Sequence, residues 1–221
     1  MKKLKYIFLL AGALLLASCE SWLDEDPQYT INTKTQFSTV ENAKQALMGC
    51  YGYMSADNAY GQAWQEVTFG YCGFGWSQTN GSSTDLLVSM DGGIDETINT
   101  MAWRGMYKVI GETNAFIANI ADSPLESADK LPMEAAARFL RALAYYNLAV
   151  TYGDVPLKTT PSAHDGVAVP RSPKNEVFEL VRTDWEFAYE NLPEKDDDGF
   201  ATKWAAKAYL GKLYHTLGCQ G

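Results

Sequence analysis

Glu134-Ala135-Ala136-Ala137-Arg138-Phe139-Leu140-Arg141-Ala142, continuing through Leu143, Tyr146, Asn147 and Val150 to Tyr152-Gly153-Asp154-Val155-Pro156, is the stretch on which the fold turns. Phe139, Leu140, Leu143, Tyr146, Asn147 and Val150 recur every three or four residues, which puts them on one face of a helix. The pattern starts that helix after Pro132 and stops it at Gly153, with Pro156 just beyond to forbid continuation. Arg138 and Arg141 flank the stripe. Their reading is structural: pairing with Asp154 or other acids around the turn, so that helix is fixed to helix.

Four more helical stretches lie on either side. One opens at a capping box, Ser38-Thr39-Val40-Glu41, and runs through Ala43, Ala46, Leu47 and Cys50. A second carries Trp103, Tyr107, Ile110, Asn114 and Ile117 as one stripe. A third opens with Ser172-Pro173, a cap residue and a proline at the first helical position, and continues through Val177, Leu180, Val181, Trp185 and Ala188 to Leu192-Pro193. The last follows Thr202 and includes Ala205, Ala208, Tyr209, Leu213 and Leu217. Within it Leu210-Gly211-Lys212-Leu213-Tyr214 fits the L-G-x-x-Y part of a tetratricopeptide first helix, although Lys207 stands where that pattern has Trp. Strand content reads low. The fold class is therefore all-α: tetratricopeptide-like helix pairs, each burying its stripe on its neighbour as in an α-solenoid. Between Tyr51 and Asn99 the composition changes to Gly, Ser, Thr, Asn and aromatics, and this stretch reads as a long structured loop region.

Charge and cysteine usage exclude several functions. The 221 residues carry a formal charge of −9, with 47% apolar and 20% charged residues, ordinary for a folded chain. Residues 1–18 hold three lysines and no acid, so without them 15 basic residues face 27 acidic ones, or −12. Such a body repels phosphates, and nucleic-acid binding is discarded. No CxxC or Cys/His cluster is present, and the histidines are His164 and His215, so no metal site is assigned. Glu194 to Gly199 begins like a calcium loop, but Ala205 occupies the twelfth position where Glu is required; an acidic turn is the preferred reading. Of Cys50, Cys72 and Cys219, at most two can be bridged, and spacing does not choose a pair.

The first 18 residues form an export signal. Lys2, Lys3 and Lys5 precede an apolar run from Tyr6 to Leu16, 11 residues long, against the ~20 needed to cross a bilayer. Leu16-Ala17-Ser18-Cys19 then matches a bacterial lipobox, which makes Cys19 the acylated first residue of the mature chain. Several acyl chains, palmitate among them, make a durable tether where one would be reversible. Residues 19–36 read as an acidic tether and the start of the body, and residues 37–221 as the helical domain.

Taken in order, several segments resemble the SusD/RagB family of Bacteroidetes outer-membrane lipoproteins. They are Cys19 with Trp22-Leu23-Asp24-Glu25-Asp26-Pro27; Phe37 with Ala43 to Tyr51; Ser83-Thr84-Asp85; Trp103-x-x-Met106-Tyr107-x-x-Ile110 leading to Asn114-Ala115; the Glu134–Ala142 run; Tyr152-Gly153-Asp154-Val155-Pro156-Leu157; and Arg171-Ser172-Pro173 onward to Ala201-Thr202-Lys203-Trp204-Ala205-Ala206. The resemblance covers residues 19–218 and only the N-terminal part of the family's usual length, so the chain reads as an incomplete SusD-like fold, its later region absent. It implies a cell-surface, non-enzymatic lipoprotein without cofactor, held in the outer membrane by its anchor. Its cargo would be an oligosaccharide or, in some members, a peptide, and its partner a SusC-like TonB-dependent transporter. The alternatives are a surface glycan hydrolase and a structural tetratricopeptide-like adaptor; no serine elbow or selected carboxylate pair supports catalysis.

Sugar binding needs aromatic faces and a few polar side chains. The candidates are Trp64, Tyr71, Trp76, Asn80 and Asp85, with Phe74 and Gln78 nearby and glycines 70, 73, 75 and 81 presenting the rings. Packing of these aromatics onto the helices is the competing reading. The anchor is tested directly: Cys19→Ala should abolish incorporation of an alkyne-palmitate label and release the protein from the membrane fraction, whereas retained label would refute the lipobox assignment.

Overall fold

The computed structural model describes residues 33–70, 72, 74–76, 85, 88–90, 97–161, 169–196 and 198–219. Cys19 and the whole export and tether segment to residue 32 lie outside them. Helix α1 (Thr33–Gln36) leads into α2 (Val40–Ser55). The cap sits one residue later than the sequence pattern suggests. Thr39 Oγ1 accepts the Asn42 N–H at 3.2 Å, while Ser38 donates its hydroxyl to the Thr35 carbonyl. Ala43, Leu47, Cys50 and Met54, spaced four, three and four apart, bury one face of α2.

The Tyr51–Asn99 stretch is not all loop. Its first part finishes α2, makes a kinked π turn at Asp57–Gly61, and forms α3 (Ala63–Gly70), which buries Ala63, Trp64, Val67 and Gly70. These four residues share one face of a helix only two turns long, too short for periodicity to mark it in the sequence. The π turn lies against α4 (Thr97–Ala121) at Gly105. A Cβ there would stand 1.9 Å from the Asn58 carbonyl oxygen, so this crossing requires glycine.

Helix α4 turns fully inward Ala102, Met106, Val109, Ile110 and Ile120, while Trp103, Tyr107 and Ile117 border that face half-buried. Helix α5 (Ser127–Tyr152) begins five residues before Pro132, which lies inside it. The first turn is already closed by the Asp129 and Lys130 N–H groups on the Glu126 carbonyl, so the proline forfeits a single bond near the helix start. Gly153 ends α5 with φ 75°, and its N–H returns to Ala149.

Two short antiparallel strands follow, β1 (Val155–Pro156) and β2 (Arg171–Ser172), with Val155 opposite Ser172 and Pro156 opposite Arg171. Helix α6 (Lys174–Asn191) therefore starts one residue later than a Ser172 cap would place it. Its cap is Pro173, which has no side-chain acceptor, and Asp154 supplies one instead: its carboxylate accepts the Lys174 N–H at 2.9 Å. Helix α7 (Lys203–Gly218) closes the order, fully burying Ala206 and Leu213 and leaving Trp204 and Tyr214 exposed. The sequence α4, α5, α6, α7 packs neighbour on neighbour, the arrangement of a helical solenoid.

The arginines do not pair with Asp154. Arg141, 5% exposed, grips Asp184, 1% exposed, with two bonds of 2.8 Å. Its remaining nitrogen donates to Asn114 Oδ1 at 2.9 Å, joining α5 to both α6 and α4. Arg138 lies over the Phe187 ring at 4.2 Å and pairs with Glu134 and, at 3.5 Å, with Asp184. Around this pair Trp185 is fully buried, contacts Tyr146 and Tyr209, and donates its indole N–H to the Phe139 carbonyl.

Removing one half of a buried ion pair leaves the other half without compensation. Asp184→Ala should therefore lose about 3–5 kcal/mol in urea unfolding, whereas Arg141→Met with Asp184→Leu should recover most of that loss. A small loss in the single variant would show that the pair is solvated.

Candidate functional site

The glycan-facing candidates fall into three groups. Trp64 is buried at 8% exposure on α3 and packs against Tyr60 at 6.3 Å, so its ring is not open to a ligand and its proposed place on the platform is withdrawn. The i, i+3 pairing of Trp64 with Val67 puts both on the inward face of α3. Tyr71 and Asn80 lie outside the described residues. Asp85 is half-buried, and its carbonyl accepts both the backbone N–H and the hydroxyl of Ser89.

Trp76 is the candidate that the structure places at a surface. It is 79% exposed, and Phe74 beside it is 91% exposed. Phe69, at the end of α3, is 57% exposed and completes an aromatic patch. Gly75 explains how the patch is laid down: a Cβ there would come within 3.1 Å of the Phe69 ring, so the bare backbone rests on that ring. Phe69 and Phe74 are present in the sequence stretch, but only the solved placement separates them from Trp64; spacing alone cannot tell an outward ring from an inward one in so short a helix.

The root of the patch is rigid. Trp64 and Val67 hold α3 to the core, and Asn147 of α5 donates to the Tyr60 hydroxyl at 2.7 Å. Burial pushes the Tyr60 phenol up to about 12, so it remains neutral at physiological pH. Glu194, Asp196 and Asp198, the described acids of the 194–199 turn, are held by neighbouring groups of the chain. Asp196 accepts the N–H groups of Asp198 and Phe200, Asp198 pairs with Lys44, and Glu194 pairs with Lys203. Among the described residues no three His, Cys, Asp or Glu side chains are grouped as metal ligands, and no helix is long and apolar enough to cross a membrane.

The described residues thus form an all-α body of stacked helix pairs with an exposed aromatic patch at the end of α3. The chain belongs to the SusD-like family: the family described as starch-binding and associating with the outer membrane matches residues 21–215. SusD-like protein P25 of Formosa agariphila is 25% identical over 95% of this chain and 42% of its own length. A SusD-like protein of Bacteroides ovatus is 28% identical over 96% of this chain and 39% of its own. Among solved structures, a SusD superfamily protein of Bacteroides thetaiotaomicron superposes with a TM-score of 0.72 at 24% identity, over 81% of this chain and 43% of that one. A laminarin-binding SusD-like protein superposes with a TM-score of 0.70 at 25% identity, over 82% and 41%. This chain thus spans roughly two-fifths of the length of the relatives it matches.

The three cysteines are free in the structure: Cys50 buried, Cys72 and Cys219 exposed. Burial raises the Cys50 thiol to about 12, which removes its nucleophilic form near neutrality. Iodoacetamide at mildly alkaline pH should modify Cys72 and Cys219 in the folded protein and reach Cys50 only after denaturation. Because Cys72 adjoins the patch, a bound oligosaccharide should slow its modification; mass spectrometry of the three peptides reads both effects.

Proposed function

We propose that this protein is a cell-surface binding lipoprotein that captures oligosaccharides and passes them to a SusC-like TonB-dependent outer-membrane transporter. The observation that carries the reading is the exposure of Phe74 and Trp76 on a patch anchored through α3. Large aromatic rings rarely face water without a partner, and a sugar's C–H face is a suitable one. Family relatives support the ligand class: one is named for laminarin binding, and another, 26% identical with a TM-score of 0.69, was solved with a xylogluco-oligosaccharide. Peptide cargo is the lesser variant of the same role.

Attachment through acylated Cys19, outward orientation, lack of enzymatic activity and the transporter partnership belong to the same proposal. Binding without cleavage is its functional core. In that core Trp76 acts as a stacking platform, with Asp85, Tyr71 and Asn80 as polar neighbours along the same stretch, while Trp64 holds the platform in place.

A panel of neutral oligosaccharides tests the reading by calorimetry and by assay for new reducing ends. Bound sugar with no cleavage supports it; released reducing ends would replace it with a hydrolase. Trp76→Ala should weaken binding about tenfold, ~1.4 kcal/mol, with stability unchanged. Trp64→Ala should instead lower stability by about 3–5 kcal/mol, as for any large ring removed from a core. If Trp76→Ala binds every sugar as the parent does, the platform assignment fails. Co-purification with a large β-barrel protein tests the transporter step.

A further inference from the structure

The cleft between α4 and the β1–β2 hairpin is built differently from the aromatic patch. Trp103, Tyr107, Ile110 and Gly111 form its helix wall, and Pro156, Lys158 and Val169 form the hairpin wall, enclosing about 270 Å³. That is just under the ~300 Å³ at which pockets for drug-sized ligands begin, and it suits one sugar ring rather than a chain. The walls are clamped together. Tyr107 donates its hydroxyl to the Pro156 carbonyl at 2.7 Å, and Asn114 donates to the Lys158 carbonyl at 3.0 Å. Tyr145 bonds both the N–H and the carbonyl of Lys158. Burial holds the Tyr107 phenol protonated, so this clamp does not open with pH in the physiological range. Two aromatic residues, Trp103 and Tyr107, with centroids 4.9 Å apart, line the cleft and offer it a stacking surface.

The charges at this cleft run against the rest of the chain. In a protein with 27 acidic and 18 basic residues, Lys158 lines the cleft, and none of the ion pairs among the described residues includes it. Arg171, which is exposed, pairs in the hairpin with Pro156, one of the residues lining the cleft. Arg104 stands two turns before Gly111 on the same side of α4 and is exposed. Neither arginine has an acid partner among the described ion pairs. A lysine that lines an aromatic cleft and has no acid partner among the described ion pairs is complementary to an anion that also has an apolar face.

We infer that the α4–hairpin cleft is a second binding site, selective for an acidic sugar unit: a pyranose bearing a carboxylate or a sulfate. Its ring stacks at Trp103 and Tyr107, and its anionic group meets Lys158. The site goes beyond the neutral-glycan platform and does not depend on it.

Titration of the full chain with trigalacturonate, galactose 6-sulfate and uncharged galactotriose tests this. Trigalacturonate or the sulfated sugar should bind at least about tenfold more tightly than galactotriose, and which of the two does so identifies the anionic group. That preference should fade as salt is raised and disappear in Lys158→Gln. Gly111→Leu should block the cleft, leucine being the better helix former; an unchanged melting temperature confirms folding. Equal binding of charged and uncharged sugars overturns the inference, as does failure of both acidic sugars to bind. Loss of acidic-sugar binding in Trp76→Ala with none in Lys158→Gln overturns it too, by moving that ligand to the patch. The neutral-oligosaccharide panel judges the patch separately.

Discussion

A guanidinium placed in an apolar interior is tolerable only if its charge is answered and its nitrogens find acceptors, and each of the three nitrogens of Arg141 has one. Asp184 takes two of its N–H groups and Asn114 a third. The geometry is the planar two-on-two fork that makes arginine, not lysine, suited to a carboxylate. Its net contribution to stability is small, because desolvating both ions offsets most of their attraction. What the pair supplies is register: α5 and α6 can slide past one another only by breaking it, and the cost of a single buried, unanswered charge forbids the intermediate positions. Asn114 extends the constraint, since the amide that accepts from Arg141 donates on its other side to the carbonyls of Lys158 and Thr160. One polar network thus fixes three helices and the hairpin.

Around that network the aromatics decide the spacing of the layers. Trp185 occupies the centre of the α5–α6–α7 junction with no exposure, and Tyr146 and Tyr209 lean on it at 5.5 and 5.2 Å. The small residues of α5, Ala135, Ala136, Ala137, Ala142, Ala144 and Ala149, are all buried and let neighbouring helices approach closely enough for those rings to meet. Gly105 plays the same part at the other end, where the Asn58 backbone leaves no room for a methyl group.

Long, regular segments were legible from the sequence, and short or tertiary features were not. The stop of α5 at Gly153 and the low strand content follow from a positive φ and from composition, and the described residues agree with both. The single stripe read for α5 does not hold: Phe139 to Ala149 is buried on every side and Val150 is exposed, because α4 and α6 both pack on this helix. The start of α5 was misplaced because proline is usually a boundary, whereas here the turn before it is closed independently. The N-terminus of α6 shifted for a related reason: its acceptor is Asp154, 20 residues upstream, and no local pattern reports a cap delivered by a distant turn. The same distance hid the partner of the arginines, since nothing in the spacing distinguishes Asp154 from Asp184. Among the aromatics, Trp64 and Trp76 look equivalent as letters. Burial separates them, and burial is decided by how an eight-residue helix meets the core.

The two proposed surfaces would meet different problems of recognition. A neutral sugar offers a ligand-binding protein little beyond C–H faces and hydroxyls, so its platform gains most from exposed rings whose position is settled before binding. Phe74 and Trp76 are held in this way, with Gly75 seated on Phe69 and α3 pinned by Trp64. A negatively charged sugar meets long-range repulsion from an acidic body first, and rings alone do not overcome it. A cation placed in the cleft itself acts within a Debye length, about 8 Å in physiological salt, of a ligand docked there. Lys158 sits on a hairpin whose backbone is fastened by Tyr145 and Asn114, so its charge is presented from a fixed stem rather than from a loose loop. The buried arginine that organises the helices therefore also determines, through Asn114, where this half-buried lysine stands.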